Sequence, residues 1–412
     1  MTNKACTFII LAAGHGKRMN SNLPKVLHKI GNFSMLEHVI YNAKQLNPQN
    51  IAVVVDLPLT QRLECSEDIQ LITQESTLGT GDAVKTAMRN LKELPDSSIV
   101  VVQYGDTPLI KSSTITKMVS SLKGKALVCL GFRTNNKEYG RLIIEDDSLK
   151  EIVEAQNGKD NDREFLANAG IMVAYAKNLR ELVGKIECNN LTKEYYLTDI
   201  VSIAVKSNLN VGYVITDEEE ATGINNRNDL AKAEFYFQEN KRRFFTNSGV
   251  TLVAPETVFF SLDTQIGIDS TIYPYVFFGP GVKIGSGARI GPFAKCEGTT
   301  IGASATVGNF VEVKASDIGM NTKIKHLSYI GNTKVGPESN IGAGAVVCNY
   351  DGKKKHETHI GSNCFVGANS SLIAPLNVHD ESVIAAGSII VKDVPKKRLV
   401  ITRRKQIIKR IK

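Results

Sequence analysis

The chain has no run approaching the ~18 uncharged apolar residues that a membrane helix needs. Its best apolar stretches, Phe8–Ala13 and Ile99–Val102, are far shorter, so no membrane insertion is expected. Metal-type spacing is missing as well. The seven cysteines (Cys6, Cys65, Cys129, Cys188, Cys296, Cys348, Cys364) are scattered, odd in number and never spaced C-x-x-C. Neither a disulfide framework nor a zinc site is indicated, and a reducing cytoplasmic setting fits. Lys4 ahead of the apolar Ala5–Ala13 imitates a secretion signal, but no cleavage site follows. The stretch instead runs into Gly14-His15-Gly16-Lys17-Arg18, as a buried first strand feeding a loop would.

Acidic residues are absent from the C-terminal stretch. The net charge of +8 suggests nucleic acid until it is located: residues 396–412 hold nine Lys or Arg and no acid, and the remainder carries 41 basic against 42 acidic residues. The basicity belongs to a tail. No aromatic residue interleaves it, as a single-strand binder would require, so no nucleic-acid partner is expected. A solvated terminus and a contact for an anionic ligand are both compatible with it.

The 412 residues suffice for two or three domains. Residues 1–226 alternate strand-like segments ("TFIILAAG", "NIAVVVD", "SSIVVVQYGD", "ALVCLGF") with helix-like ones (Leu36–Leu46, Gly81–Leu91). This is the α/β pattern of a parallel sheet wrapped by helices, whose ligands sit beyond the carboxyl ends of the strands, where Gly14 and Asp106 both fall. Residues 227–250 begin with "RNDLAKAEFYFQENKRRFF", charged, apolar at helical spacing and free of Gly and Pro, and read as a linker helix. From 251 to 412 the period becomes six. Apolar positions recur from Ile266, Ile272 and Phe278 through Ile330 and Val347, then resume from Ile360 to Ile390. A hexapeptide repeat of this length predicts a left-handed, triangular parallel β-helix. Its one long break, "CNYDGKKKHETH" between Val347 and Ile360, is an insertion of the kind that carries function.

The loop "LAAGHGKRMNSNLPK" (residues 11–25) lacks the third glycine of a dinucleotide fingerprint and the Ser or Thr that follows a Walker lysine. It does combine backbone freedom at Gly14 and Gly16 with two cations, Arg18 and Lys25. Glycines let amides approach phosphate oxygens, and fixed cations neutralise charge during phosphoryl or nucleotidyl transfer.

The full string "LAAGHGKRMNSNLPKVLHKI" resembles the sugar-1-phosphate nucleotidyltransferases, with their L-A-A-G-x-G-x-R-M signature and Leu-Pro-Lys segment. With "TQESTLGTGDA", "QYGDTPLI", "EYGRLI", "LANAGIM", "EYYLTDI" and "GINNR" in order, the resemblance narrows to the bifunctional N-acetylglucosamine-1-phosphate uridylyltransferase/glucosamine-1-phosphate N-acetyltransferase family (GlmU type) and covers nearly the whole chain. It implies a Rossmann-like nucleotidyltransferase domain ahead of the linker helix and β-helix. It also implies that Leu11, Ala12, Ala13, Gly14, Gln74, Gly79 and Thr80 hold the uridine nucleotide, the Gln74 amide pairing with the uracil edge. Tyr104, Gly140, Glu154 and Asn168 would hold the sugar, and Gly105 belongs to the same UTP/UDP-N-acetylglucosamine site. Asp106 and Asn225 would coordinate Mg²⁺, an oxygen pair suited to a hard ion. Arg18 and Lys25 would offset repulsion between the anionic 1-phosphate and UTP.

Acetyl transfer to an amine needs a base, and His326 lies inside the repeat. The strings "VGNFVEVKAS", "KHLSYIGN" and "NIGAGAVVCNYDG" resemble the family's acetyltransferase half. The resemblance makes His326 the base, with Lys314, Tyr329 and Asn340 on the amino sugar phosphate. Ala343, Asn349, Tyr350, Ala368, Ala386 and Arg403 would line the acetyl-CoA site. It further implies a homotrimer with sites between subunits. Three departures stand out: Lys295, Cys296 and Glu297 occupy the place of a family arginine after "IGPFA", Ala368 replaces a serine, and the β-helix begins shorter. The expected function is UDP-N-acetylglucosamine synthesis for cell-envelope polymers from UTP, glucosamine-1-phosphate, N-acetylglucosamine-1-phosphate and acetyl-CoA. The alternatives are a uridylyltransferase whose β-helix only trimerises it, and a non-catalytic sensor built on the same folds.

Overall fold

The structure is a computed structural model that describes residues 6–14, 16–63, 67–155, 164–190, 192–402 and 406–410. The chain divides into two compact units, Met1–Glu234 and Phe235–Lys412.

The first unit is built on one sheet whose strands follow the expected apolar runs: β1 (Cys6–Leu11), β2 (Asn50–Val55), β3 (Ile69–Thr73), β4 (Ile99–Tyr104), β5 (Leu127–Thr134), β6 (Arg141–Glu145), β7 (Ser148–Val153), β8 (Phe165–Tyr175) and β9 (Val211–Thr216). The order across it is β9-β5-β8-β4-β1-β2-β3, with the β6–β7 hairpin attached to β8. The sheet is mixed rather than parallel, because β8 runs antiparallel to both β4 and β5. Alternate residues of β1 enter different cores: Ile9 packs with the helix Thr80–Asn90 (α2), whereas Phe8 and Ile10 pack with the helix Met35–Lys44 (α1). Burial on both faces explains why these strands read as continuous apolar runs. The start of α1 is closed by a capping box, in which Ser34 Oγ accepts from Glu37 N–H and Glu37 Oε2 accepts from Ser34 N–H.

In the second unit, parallel strands of two to four residues stack into three sheets. The chain visits them in turn. The first face runs through Thr306–Asn309, Lys323–His326 and Asn340–Ile341, the second through Lys295–Glu297, Glu312–Lys314 and Tyr329–Gly331, the third through Asp317–Ile318 and Thr333–Val335. The apolar positions of the six-residue period fill one core, Ile266 being only half-buried. The helix Arg227–Asn247 (α3) covers the first coils with its later turns. There Gln238 exchanges two hydrogen bonds of 2.8 Å with the backbone of Phe260, and Phe245, Phe260 and Phe278 pack ring on ring. No helix among the described residues is long and apolar enough to cross a membrane.

Candidate active sites

The glycine loop leaves the carboxyl end of β1, where Gly105 N–H donates to Leu11 O at 2.8 Å and ties the ends of β1 and β4 together. Gly16 has φ +51°, and a Cβ there would stand 2.6 Å from Lys25 Cβ. The loop therefore folds directly onto the turn Lys25–Leu27, which Pro24 opens. Lys25 Nζ lies 2.5 Å from Asp106 Oδ2 and 2.8 Å from Asn225 Oδ1. Asn225 precedes α3, whose start is rigid: Asp229 Oδ2 accepts from the backbone of Asn225 and Asn226, while Asn226 Oδ1 accepts from that of Asn228 and Asp229. These groups and Leu11–Gly14 line a pocket of about 240 Å³. Arg18 stands at its rim, largely exposed, with Nη1 3.4 Å from Glu138 Oε2. Lys25, Asp106 and Asn225 thus converge, whereas Arg18 sits outside their cluster.

A second group of candidates meets beside this pocket. Gln74 is buried, and its Nε2 donates to Asp82 Oδ2 (2.7 Å) and Gly79 O (3.4 Å). Both amide hydrogens are spent, which leaves the carbonyl Oε1 as the end of the amide able to accept a further hydrogen bond. Gly79 caps α2 at φ +98°, where a Cβ would meet Tyr195 O at 2.6 Å. Thr80 Oγ1 accepts from Leu197 N–H and its side chain hydrogen-bonds Tyr104, whose hydroxyl burial holds in the neutral form. Asn168 N–H donates to Gly140 O at 2.8 Å, and Glu154 Oε1 accepts from Thr198 at 2.6 Å.

Sequence reasoning missed the residues that position these groups. Asp82 and Thr198 lie inside "TLGTGDA" and "EYYLTDI", so those strings carried the signal. Tyr139 left none. It stacks edge-on against Phe132 and donates to Gly223 O at 3.4 Å, with its hydroxyl pushed up to about 12 by burial.

On the β-helix, strand register organises the candidates. Ile324, Ile341, Val366 and Ile384 pair in succession along the first face. His326, Ala343, Ala368 and Ala386 each lie two residues beyond one of them, so the four form a ladder up the edge between the first and second faces, about 4.8 Å per coil. Lys314 and Tyr329 lie on adjacent coils of the second face. The residues in place of the family arginine resolve into two roles. Cys296 is a core residue, while Lys295 Nζ lies 3.6 Å from Glu312 and Lys314 Nζ 3.0 Å from Glu297. That glutamate raises the affinity of Lys314 for its proton.

The insertion folds back on itself through a Tyr350–Lys355 bridge and a 2.7 Å His356–Asp351 pair, which holds the Asp351 carboxyl well below the usual range. It presents Tyr350 to solvent, whereas Asn349 is buried and donates to Asn332 Oδ1. Arg403 lies outside the described residues. Among the described residues no cluster of three or more His, Cys, Asp or Glu could hold a metal by itself.

Comparison with known proteins agrees with both architectures. The profile of the MobA-like NTP transferase domain matches residues 8–175, that of the bacterial transferase hexapeptide (six repeats) residues 263–298, and that of the hexapeptide repeat of succinyl-transferase residues 357–392. The chain is 85% identical over 405 residues to the bifunctional protein GlmU of Wolbachia sp. subsp. Brugia malayi, covering 98% of this chain and all of that one. It is 78% identical to the protein of that name from Wolbachia pipientis wMel, both chains being covered in full, and 42% identical to that of Anaplasma marginale (strain Florida), over 97% and 98% of the two chains.

Proposed function

The chain belongs to the GlmU family, and from that premise we propose that its two units carry successive steps of UDP-N-acetylglucosamine synthesis. The observation that carries the first site is the convergence of Lys25, Asp106 and Asn225 beside the glycine loop. An oxygen of N-acetylglucosamine-1-phosphate attacks the α-phosphorus of UTP. The bond to the β-phosphate breaks, and pyrophosphate leaves with its electron pair. No protein base is needed, because the nucleophile is already an anion, and the work lies in positioning and charge neutralisation. Gln74 Oε1 accepts from the uracil imide, backbone from Leu11 to Gly14 approaches the phosphates, and Lys25 and Arg18 offset their charge. Tyr104, Gly105, Gly140, Glu154 and Asn168 hold the sugar. Asp106 and Asn225 fit Mg²⁺, since two hard oxygens already converge on one cation. When bound, the ion adds charge neutralisation at the phosphates.

On the β-helix, His326 accepts the proton lost as the amine of glucosamine-1-phosphate attacks the thioester carbonyl of acetyl-CoA. The C–N bond forms, the C–S bond breaks, and coenzyme A departs. Lys314, Tyr329 and Asn340 hold the sugar phosphate. The small side chains of Ala343, Ala368 and Ala386 leave a track for coenzyme A along the edge from His326, with Asn349, Tyr350 and Arg403 as further contacts.

The reading includes a cytoplasmic homotrimer whose product supplies cell-envelope polymers. The outward residues of the third face are polar throughout: Gln265, Lys283, Thr300, Asp317, Lys334, His359 and Asn377. The edge between the other two faces is apolar instead. Tyr275, Phe293, Phe310 and Leu327 are at least half exposed there, with φ from +51° to +61°, and the first three rings stack at 4.9 Å. A stripe of this kind on a monomer marks an interaction surface, and an edge shared by two faces suits a three-fold axis.

A second reading, in which the β-helix only assembles the protein, is favoured by the carboxylates already paired with Lys295 and Lys314. Thiol release from acetyl-CoA with glucosamine-1-phosphate separates the two. Bifunctionality requires release by the intact chain and its loss in His326→Ala, while Asp106→Ala abolishes pyrophosphate release alone. Pyrophosphate formation without thiol release would establish the second reading.

A further inference from the structure

Lys25 bridges the same two oxygens that fit a metal ion. Its ammonium makes its two closest polar contacts to Asp106 Oδ2 and Asn225 Oδ1, at 2.5 and 2.8 Å, and both members of the Lys25–Asp106 pair are largely shielded from solvent. Among the described residues, Asp106 is the only carboxylate lining the pocket. A divalent ion on these same two oxygens would stand against the Lys25 ammonium, and like charges that close repel strongly where water is partly excluded.

We propose that Lys25 is the resident counter-cation of the Asp106–Asn225 pair in the nucleotide-free protein. It yields those oxygens when nucleotide phosphates take up its ammonium, so that divalent-metal binding and nucleotide binding are coupled through this one side chain. The inference rests on the uridylyltransfer reading and adds an order of events to it. Free protein holds a divalent ion weakly, and protein with nucleotide holds it well.

The surroundings confine the exchange to the lysine side chain. Its backbone is pinned by the Pro24 turn, with Leu27 N–H donating to Pro24 O at 3.0 Å and His28 N–H to Lys25 O at 3.2 Å, and Gly16 closes over its Cβ. Asp106 O accepts from Ile224 N–H, and the backbone of Asn225 is held by Asp229. Only the four-carbon stem of Lys25 is left to turn, and the pocket that it would turn into is the one lined by Leu11–Gly14. Arg18 cannot substitute at the pair, because it stands exposed at the rim beside Glu138.

The test is a Mn²⁺ titration of the full-length, nucleotide-free protein by water-proton relaxation. Lys25→Met keeps the length of the stem and removes the charge. It should bind Mn²⁺ at least tenfold more tightly than the wild type, and the added Asp106→Ala change should abolish the gain. Lys25→Gln provides a second neutral variant should methionine perturb folding. Equal or weaker Mn²⁺ affinity in folded neutral variants would overturn the proposal. The underlying reading fails differently: a wild-type chain that releases no pyrophosphate from UTP and sugar phosphate would remove uridylyl transfer without changing the outcome of the Mn²⁺ comparison.

Discussion

Two glycines of the first unit should respond to alanine in opposite ways. Gly79 has φ +98°, beyond the range that an L side chain adopts readily, and an added Cβ would lie 2.6 Å from Tyr195 O and 3.0 Å from Tyr195 N. Both are backbone atoms and cannot rotate aside. Strain at such a φ costs about 1–3 kcal/mol, and forcing a methyl into a packed site a further ~1–3 kcal/mol. Gly79→Ala should therefore lose about 2–6 kcal/mol, which for a unit of this size lowers its melting temperature by roughly 4–24 °C. The displaced segment also carries Leu197 and Thr198, which hold Thr80 and Glu154, so pyrophosphate release should fall with stability. At Gly14 a Cβ would meet nothing within 4 Å. Gly14→Ala should melt like the wild type, within ~0.5 kcal/mol, yet bind UTP less well because the methyl enters the space that the phosphates need. Calorimetry with steady-state pyrophosphate assays on both variants decides the matter. A Gly79→Ala protein with wild-type melting, or a Gly14→Ala protein that unfolds early, would refute the reasoning.

Three further outcomes follow from other parts of the molecule. Burial lowers the Lys241 ammonium to about 8, against a partial opposing pull from Asp263. Its protonated form thus favours the unfolded chain: the penalty is full below pH 8 and fades as pH rises toward the ordinary lysine value. Denaturation of the wild type against Lys241→Met should show the wild type gaining about 3 kcal/mol relative to the variant between pH 8 and 10.5, and a flat difference would exclude it. Phe310→Asp places a charge in the stacked stripe at a side chain that is already solvent-facing, so sedimentation should show a species smaller than the proposed trimer, without unfolding. Glu297→Gln frees Lys314 from its partner. For an exposed pair the restraint is small, so the KM for glucosamine-1-phosphate should fall by a few-fold at most, and an unchanged or higher KM would show that Glu297 does not restrain the lysine.

The six-residue period was legible because each apolar step points into one shared core, and a periodic core is a local property that survives without knowledge of the partners. The strands of the first unit were legible for a related reason, since burial on both faces leaves continuous apolar runs. The direction of β8 was not. "LANAGIMVAY" is apolar whichever way it runs, and its antiparallel placement is set by the β6–β7 hairpin before it rather than by its own residues. Gln74 shows the same limit at the level of one side chain: the string located it, but only its contact with Asp82 reveals that the amide nitrogen is engaged within the protein.

The aromatic edge of the β-helix runs against local rules altogether. Left-handed backbone favours Gly, Asn and Asp, and a bulky residue there is an outlier. Residue by residue, then, Tyr275, Phe293 and Phe310 at φ +61°, +58° and +55° look misplaced. Their spacing, near one coil, resolves the conflict: each ring stacks on the next, and stacking recovers part of the backbone cost. Stacking alone leaves the outer surface of the stripe in water, and covering that surface would add apolar burial. The same edge continues through Leu327 into the ladder headed by His326, which would tie the apolar stripe to the acetyl-transfer site proposed there. A variant that breaks the seam should therefore lose thiol release as well as assembly while retaining pyrophosphate release, because the Lys25–Asp106–Asn225 pocket lies entirely within the first unit. Full thiol release from a dissociated Phe310→Asp chain would show that the β-helix site is complete in one subunit and would break the link between the strained edge and the chemistry.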